Sequence, residues 1–332
     1  MQHLRRELTA WLGDRGASGA SFAISSESQI GAVAVGHRGH GQGPLNVDAP
    51  FRIASNTKTF VAYAVARLAE RGELSLEDSL SSLLPASLLG TVRRRYDVDR
   101  ITVTHLLSHR SGLRCHTEDP RFLSDILADP GRRWTAAEQV TRAVAMGPPW
   151  GPPGELAVYS DTGYVLLGVI LERVAEQKLG PALRQLVDYG AFGLSSTWFE
   201  TAEPARSVLP RVRQYVDARD ATDWHPSMDL FGGGGLVSTV SDLARFYAAL
   251  PSRSVFPVLS GTGSGEAALR SGLFEHALDG HQVFSHAGYW GTYACVVPDL
   301  NIGAAAMVNQ QAAGSALREW VDRMISVCMR DL

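Results

Sequence analysis

Patterns typical of β-strands lie near both ends of this chain, and the long stretch between them has the spacing typical of α-helices. Residues 20–25 and 29–35 are predicted to be two short strands, with a turn near residues 27–28. Residues 283–286, 293–297 and 302–308 are predicted to be three more, the last two joined by a turn. This order predicts a sheet-containing region that is interrupted by a helical insertion.

The middle of the chain is predicted to be mostly helical. Apolar residues recur on one side of residues 55–71, and Gly72 follows as a helix stop. Residues 102–109, 135–146 and 162–177 are predicted to form further helices. One terminal helix carries apolar residues on one face at Leu4, Leu8, Trp11 and Leu12, and the other carries them at Leu317, Trp320, Val321, Met324, Ile325 and Cys328.

The expected fold class is therefore α/β (α+β), with an antiparallel sheet flanked by the terminal helices. We expect residues 1–55 and 226–332 to form the sheet-containing region, and residues 56–225 to form the mainly helical insertion. The two regions are expected to make one unit with a site in the cleft between them.

The composition excludes several classes of protein. The 332 residues are 45% hydrophobic and 20% charged, as in a globular protein with a large core, and the net charge of -3 does not favour nucleic-acid binding. No segment approaches the ~20 apolar residues that cross a bilayer, so no membrane contact and a cytoplasmic location are expected. A chain from which a signal peptide had been removed would look similar. Cys115, Cys295 and Cys328 are expected to be free, buried thiols.

Lysine is rare in this chain, and one of its lysines lies at a distinctive place. Only Lys58 and Lys178 are lysines among 31 basic residues, a bias that genomic base composition can cause. Lys58 follows Ser55 by one helical turn, so both share a helix face. Ser55 could be a helix N-cap, or a nucleophile with Lys58 as its base or proton relay. Lys178 has Ala175 at the matching position and is predicted to be a surface residue.

Two later segments complete a pattern. Tyr159-Ser160-Asp161 follows a turn-rich stretch, and His286-Ala287-Gly288 ends a predicted strand. Alone, a core tyrosine and a structural histidine are the default interpretations. Together with FRIASNTKTF, HLLSHRSGL, GELAVYSDTGYVLLG, GGGGLVSTVSDLARF and SHAGYWG, they resemble the serine β-lactamase and D,D-peptidase superfamily. The resemblance covers residues 20–310 and is to the class C-like branch, which also holds D-aminopeptidases, esterases and transacylases.

The resemblance implies a β-lactamase/transpeptidase-like fold and a set of site residues. Ser55 would be the acylated nucleophile and Lys58 its partner. Tyr159 would shuttle a proton between Ser55, Lys58 and the leaving group, and the nearby ammonium would make its phenolate accessible. The backbone amides of Ser55 and Tyr289 would form the oxyanion hole, and His286 would contact the substrate. Further substrate-binding residues are expected to be Asp161, Gly288, Trp290, Trp150 and Phe231.

Two positions depart from the family pattern. Asp161 stands where many relatives have asparagine, and its carboxylate would keep Lys58 charged, so that Tyr159 becomes the better general base. Asp161 would also repel an anionic substrate group and attract an amine. His286 stands where true β-lactamases usually have lysine, and this weakly basic side chain would bind a penicillin carboxylate less strongly. We therefore do not expect an efficient β-lactamase.

Other motifs have weaker support. His105, His109 and His116 lack a carboxylate or cysteine that would complete a metal site, so no metal and no cofactor are expected. The glycines at residues 232–235 lack the Lys-Ser/Thr of a phosphate loop. A backbone turn near the site is the better interpretation of that segment.

The sequence thus predicts acyl transfer through a Ser55 ester, first of all hydrolysis of a small amide, ester or D-amino-acid peptide. One alternative is a transacylase that passes the acyl group to an amine or alcohol in small-molecule (secondary metabolite) biosynthesis. Another is a non-catalytic binder or sensor that is acylated and does not turn over. The expected partners are a small acyl substrate and, for a transacylase, an amine acceptor. The sequence predicts no oligomeric state.

Overall fold

The computed structural model describes residues 1–13, 15–26, 29–261 and 269–330, so the predicted turn at residues 27–28 lies outside the described residues. The helices in the described part of the chain are α1 (Gln2–Leu12), α2 (Thr57–Glu70), α3 (Leu80–Leu83), α4 (Ala86–Val92), α5 (Val103–Leu107), α6 (Pro120–Ala128), α7 (Ala136–Ala145), α8 (Asp161–Val174), α9 (Leu179–Val187), α10 (Val240–Ala249), α11 (Phe256–Ser260) and α12 (Leu317–Arg330). The strands are β1 (Gly19–Ser25), β2 (Ile30–Gly36), β3 (Phe51–Arg52), β4 (Trp198–Phe199), β5 (Tyr215–Val216), β6 (Arg219–Asp220), β7 (Leu236–Ser238), β8 (Phe274–Leu278), β9 (His281–Gly288), β10 (Thr292–Val297) and β11 (Ile302–Val308).

Six of these strands form one antiparallel sheet in the order β2-β1-β11-β10-β9-β8. Strands β1 and β11 are the first and the last of these six in chain order, yet they are direct neighbours in the sheet: Ala20 of β1 pairs with Val308 of β11. The predicted antiparallel sheet built from both ends of the chain is therefore confirmed.

Both faces of the central part of this sheet are buried, which explains why β1, β10 and β11 are so apolar. Alternate residues point to opposite faces, so in β10 Tyr293 and Cys295 join one cluster while Ala294 and Val296 join the other. The first face is covered by α1 and α12, where the Trp320 ring packs edge-on against Phe22 with centroids 5.0 Å apart. This burial is why the two terminal helices show strong apolar stripes in the sequence.

The second face packs on α10, α10 packs on α2 through aromatic side chains, and α2 packs in turn on α8 and α9. The Phe60 ring of α2 stacks on Phe246 of α10 at a centroid distance of 3.8 Å. The largest apolar cluster therefore runs from the sheet into the helices, and it fixes α2 against the rest of the molecule.

The predicted strands and helices lie close to their predicted bounds, and the structure contains further elements, among them the short strands β4, β5, β6 and β7, that were not predicted. Strand β8 was not predicted: it lies at the edge of the sheet, and its half-buried positions give no clear alternation. The predicted helix at residues 55–71 begins two residues later, because the Ala54–Asn56 segment forms a 3-10 turn ahead of α2. The division into residues 1–55 with 226–332 and residues 56–225 stays a prediction.

A small sheet of β3, β7 and β4 connects the chain before α2 to the chain before α10. The Ile53 amide donates to the Leu236 carbonyl at 3.0 Å, so the chain entering the 3-10 turn is tied to β7. Within the described ranges no helix combines the length and the apolar character that crossing a membrane would require.

Candidate active site

Ser55 lies in the 3-10 turn between β3 and α2. Its neighbour Ala54 has a φ of 48°, a left-handed backbone conformation that a residue with a Cβ adopts at a cost in energy. Ser55 is not the N-cap of α2, because Asn56 holds that position and no side chain caps the helix. The hydroxyl of Ser55 is therefore left for other partners.

The side chain of Lys58 is fully buried and reaches three acceptors. Its Nζ lies 2.9 Å from Ser55 Oγ, 2.6 Å from the Gly233 carbonyl oxygen and 2.6 Å from Asp161 Oδ1. An ammonium group has three hydrogens and no lone pair, so three acceptors satisfy it completely. The arrangement fits a charged lysine in a site that excludes water.

Tyr159 completes the group around Ser55. Its hydroxyl donates to Ser55 Oγ at 3.0 Å and lies 3.5 Å from Asp161 Oδ1. The ring is held by stacking on His109, with centroids 4.5 Å apart and planes inclined by 25°. His109 is fixed in turn because its Nδ1 accepts the Ser160 amide hydrogen at 3.0 Å.

Asp161 is the first residue of α8, where the amides of the first helical turn favour negative charge. Its second carboxylate oxygen accepts a hydrogen bond from Thr117 Oγ1 at 2.9 Å. The carboxylate is thus held between Lys58 on one side and Thr117 on the other, with 19% of its side chain exposed.

These contacts set the protonation states. Burial opposes the charge of Lys58, but the adjacent Asp161 carboxylate outweighs it and holds the pKa of Lys58 above its usual value. Burial likewise opposes ionisation of Asp161, and the ammonium of Lys58 outweighs it, so the pKa of Asp161 is lowered. Burial and the Asp161 charge both raise the pKa of Tyr159, and they exceed the opposing effect of Lys58.

The resting site therefore contains an ammonium, a carboxylate and a neutral phenol. The expectation that Asp161 keeps Lys58 charged agrees with this balance. The expectation that Tyr159 forms an accessible phenolate disagrees with it. The Asp161 carboxylate that stabilises the lysine cation also lies beside the Tyr159 oxygen and disfavours a second negative charge there.

Tyr289 follows the end of β9, and it lines the same cavity as Ser55. The close approach of β9 to the Ser55 turn depends on Gly288: a Cβ there would clash with Thr292 Oγ1 and the Ile53 carbonyl oxygen. Gly288 therefore leaves the space in which the end of β9 lies directly against the chain that leads into Ser55.

The cavity beside Ser55 has a volume of about 190 Å³. Its polar lining is formed by Ser55, His116, Thr117, Gln139, Asp161, Asp229 and Gly233. Its apolar and aromatic lining is formed by Phe122, Leu123, Ile126, Val165, Trp224, Met228, Leu230, Tyr289 and Trp290.

Four of the predicted substrate-binding residues, Gly288, Trp150, Phe231 and His286, are not among those that line this cavity. Trp150 is 42% exposed and stacks under the Arg114 guanidinium at 3.6 Å. Phe231 packs against the large apolar cluster. His286 is buried, and its Nδ1 donates to the Gly272 carbonyl at 2.9 Å. Burial and the charge of Lys58 lower the pKa of His286 to about 3, so the ring stays neutral.

Several residues around the cavity were missed by the sequence analysis. Trp224, Met228 and Asp229 come from the loop that precedes the glycines at residues 232–235, and Phe122 and Ile126 come from α6. No local motif marks them; the one available signal was the aromatic and acidic character of the segment directly before the glycine run. That glycine run supplies a carbonyl to Lys58, as expected of a backbone turn near the site.

The three histidines weighed as metal ligands have separate partners. His105 Nδ1 accepts the Thr102 amide hydrogen, and His116 Nδ1 contacts Thr162 Oγ1 at 3.0 Å. No cluster of three or more His, Cys, Asp or Glu side chains able to hold a metal ion occurs in residues 1–13, 15–26, 29–261 and 269–330.

Comparison with known proteins places this geometry in context. The beta-lactamase family model matches residues 4–326. Penicillin-binding protein 4* of Bacillus subtilis (strain 168) is 26% identical over 284 residues, which are 76% of this chain and 58% of that protein. Esterase EstB of Burkholderia gladioli is 32% identical over 250 residues, which are 64% of this chain and 60% of the esterase. The chain thus spans about three fifths of the length of these relatives.

A solved structure shows the same architecture. The D-stereospecific amidohydrolase from Streptomyces sp. superimposes with a TM-score of 0.80 and 26% identity, covering 94% of this chain and 96% of that one.

Proposed function

This chain belongs to the beta-lactamase family, and on that premise we propose that it is a serine hydrolase that cleaves a small amide or ester through a Ser55 acyl-enzyme. The observation that carries the proposal is the double hydrogen bond to Ser55 Oγ, from Lys58 Nζ at 2.9 Å and from Tyr159 Oη at 3.0 Å. The similarity to an esterase and to an amidohydrolase supports ester and amide substrates.

In the acylation step, Ser55 Oγ adds to the substrate carbonyl carbon while its proton passes to the Tyr159 oxygen. The Tyr159 proton passes to the leaving amine or alcohol, so Tyr159 ends the step neutral, as its raised pKa requires. Hydroxyl hydrogens rotate freely, so Tyr159 can change from donor to acceptor towards Ser55. The Lys58 ammonium stabilises negative charge on Oγ, and the amides of Ser55 and Tyr289 would bind the carbonyl oxygen.

Deacylation follows the same path in reverse. Water adds to the ester carbonyl, its proton passes through Tyr159, and Ser55 Oγ leaves with a proton as the acid product forms. Neither step requires Lys58 to lose its proton. The fully paired ammonium described above supports this assignment of Tyr159 as the relay.

We also propose that the enzyme is a poor β-lactamase. A penicillin presents a carboxylate, and His286 offers it no positive charge because the ring is neutral and its Nδ1 hydrogen is used by the Gly272 carbonyl. The Asp229 carboxylate, which also lines the cavity, would repel the carboxylate of a penicillin.

An activity-based probe tests the proposal. A fluorophosphonate should label the wild-type chain at Ser55, as peptide mapping by mass spectrometry would show, and Ser55→Ala should not be labelled. Steady-state turnover of 4-nitrophenyl esters then separates an enzyme from a protein that is acylated once. Labelling at another residue, or no labelling of the wild type, would overturn the proposal.

A transacylase is the second candidate, and the apolar lining of the cavity favours it. Side chains such as Phe122, Trp224 and Met228 limit the water that can reach an acyl-enzyme, which gives an amine or alcohol acceptor an advantage. Mass spectrometry of products formed with and without added amines distinguishes the two candidates.

A further inference from the structure

An acidic side chain without a cationic partner lies in the cavity that contains Ser55. Asp161 and Asp229 are the carboxylates that line it. Asp161 is paired with Lys58, whereas Asp229 forms no ion pair with any residue that the structure describes. Its one side-chain hydrogen bond within those ranges comes from Trp290 Nε1, at 3.1 Å.

The basic side chain that lies close to Trp290 is occupied elsewhere. The guanidinium of Arg52 lies 5.8 Å from the Trp290 ring centroid. Its Nε donates to Glu200 at 2.8 Å, and its terminal nitrogens donate to the carbonyls of Ala221 and Trp224. Glu200 is paired with both Arg52 and Arg211, and among the described contacts Arg52 makes no hydrogen bond to Asp229, on which its charge acts only from a distance.

The backbone places Asp229 near the reacting atoms. A Cβ on Gly234 would overlap the Asp229 carboxylate, so that carboxylate lies directly against the Gly234 backbone. The preceding residue, Gly233, accepts the hydrogen bond from Lys58 Nζ at 2.6 Å, and the same Nζ lies 2.9 Å from Ser55 Oγ. The absence of a side chain at Gly234 creates the space that the carboxylate fills.

The charged side chains in and next to the cavity sum to one negative charge. Lys58 and Asp161 cancel each other, and burial lowers the pKa of His116 to about 4, which leaves that ring neutral. Burial raises the pKa of Asp229 to about 6, so at pH 8 it is a carboxylate in an apolar environment. A charged group that is left unpaired in this way lowers stability, and such groups concentrate at functional sites.

We infer that Asp229 binds the ammonium group of a cationic ligand whose remaining part is apolar or aromatic. This inference rests on the proposed function, since it places the ligand in the Ser55 cavity. An ammonium would form a charge-assisted hydrogen bond with the carboxylate, and the indole side chains of Trp290 and Trp224 line the same cavity. The apolar lining accepts the rest of the ligand.

This assignment moves the amine-binding role from Asp161 to Asp229. The charge of Asp161 is already used by Lys58, whereas that of Asp229 is available. The ammonium could belong to the acyl donor, as in an amino-acid amide or ester, or to an amine that accepts the acyl group. An accepting amine must first pass its proton to the Asp229 carboxylate, because an ammonium nitrogen has no lone pair with which to attack the ester. Both ligands carry the same recognition chemistry, and the experiment separates them.

The test compares 2-phenylethylamine with 2-phenylethanol as competitors of fluorophosphonate labelling at pH 8. The two molecules differ in charge and have the same aromatic part. For the wild type we expect the amine to halve the labelling rate at a concentration at least tenfold lower than the alcohol. Asp229→Asn should abolish this difference, with each competitor compared with the labelling rate of that same variant without competitor. Asp223→Asn, which removes the same charge from a side chain that is 84% exposed, should retain it.

Equal potency of amine and alcohol in the wild type, or an amine advantage that survives Asp229→Asn, would overturn the inference. Failure to label Ser55 in the wild type would instead overturn the proposed function, and calorimetric binding of the two competitors would still test Asp229. To locate the ammonium, 4-nitrophenyl acetate is turned over with added 2-phenylethylamine. Formation of N-(2-phenylethyl)acetamide faster than with Ser55→Ala, which measures the uncatalysed aminolysis, assigns the ammonium site to an acceptor. Inhibition without amide above that background assigns it to the acyl donor.

Discussion

Replacing Asp229 by asparagine should stabilise the folded protein at alkaline pH and have no effect at acid pH. Burial raises the pKa of Asp229 from 3.8 to about 6, with smaller contributions from Lys58 and Asp161 of opposite sign. A carboxyl group with a raised pKa favours the fold while it is protonated, and it loses that contribution as the pH rises from 3.8 through 6. At about 1.4 kcal/mol for each unit, the loss is about 3 kcal/mol above pH 7.

Asparagine keeps the shape of the side chain and an oxygen that can accept from Trp290 Nε1, but it carries no charge. The assay is urea unfolding of wild type and Asp229→Asn between pH 3.5 and 8, with the difference in unfolding free energy plotted against pH. Because the two proteins share every other titrating group, the difference isolates Asp229. We expect the difference to be near zero at pH 3.5 and to reach about 3 kcal/mol in favour of the variant at pH 8.

Asp161→Asn is the matched control, since it makes the same change in the same cavity. There the carboxylate is paired with Lys58, so the variant leaves a buried ammonium without its counter-ion and should be destabilised by roughly 3–5 kcal/mol at pH 8. The reasoning is refuted if Asp229→Asn is no more stable than the wild type at pH 8, or if its advantage does not grow with pH.

Other variants test the remaining parts of the structure. Lys58→Arg should abolish labelling of Ser55 by fluorophosphonate, because a guanidinium cannot occupy the fully buried site of the ammonium; circular dichroism checks that the fold persists. Tyr159→Phe should lower kcat by about 10²–10⁴ with KM little changed, as expected for a proton relay. Gly288→Ala should slow labelling and lower stability by about 1–3 kcal/mol in denaturant unfolding, because its Cβ clashes with the Ser55 turn. Trp320→Ala should cost about 3–5 kcal/mol of unfolding free energy and leave the labelling rate of folded protein unchanged.

Much of the architecture could be predicted because the spacing of apolar residues along the chain indicates most of the long strands and helices. Strand β11 (Ile302–Val308) and the terminal helices are strongly patterned, since each must bury a defined face against the sheet. Strand β8 (Phe274–Leu278) could not be found in this way, because it is an edge strand whose side chains are only half-buried. Its position depends on pairing with β9, which is information from elsewhere in the chain.

The reacting residues could be predicted from local motifs, whereas most residues that line the cavity could not. Ser55 and Lys58 are neighbours on one turn of chain, and Tyr159 belongs to a recognisable segment, so the structure could be expected to bring them together. Asp229 has no motif. What distinguishes it is a missing partner, and whether a carboxylate is paired depends on residues such as Arg52 and Glu200 that approach from distant segments. Trp150 illustrates the converse: a tryptophan in a turn-rich segment lies against Arg114 and not in the cavity.

The pairing of β1 with β11 has a consequence for how the protein is made. Ala20 of β1 cannot pair with Val308 of β11 until the segment between them has been synthesised, so the central pairing of the sheet forms much later than the pairing of β1 with β2. At about 5–20 residues per second, synthesis of the intervening segment takes on the order of 15–60 s. Throughout that time the hairpin of β1 and β2 has an open edge on which β11 will later pair, together with the apolar face that α12 will cover. The pairing edge of β1 and the apolar face of β1 and β2 are therefore made well before the segments that cover them, and an uncovered strand edge is a site at which another chain can pair.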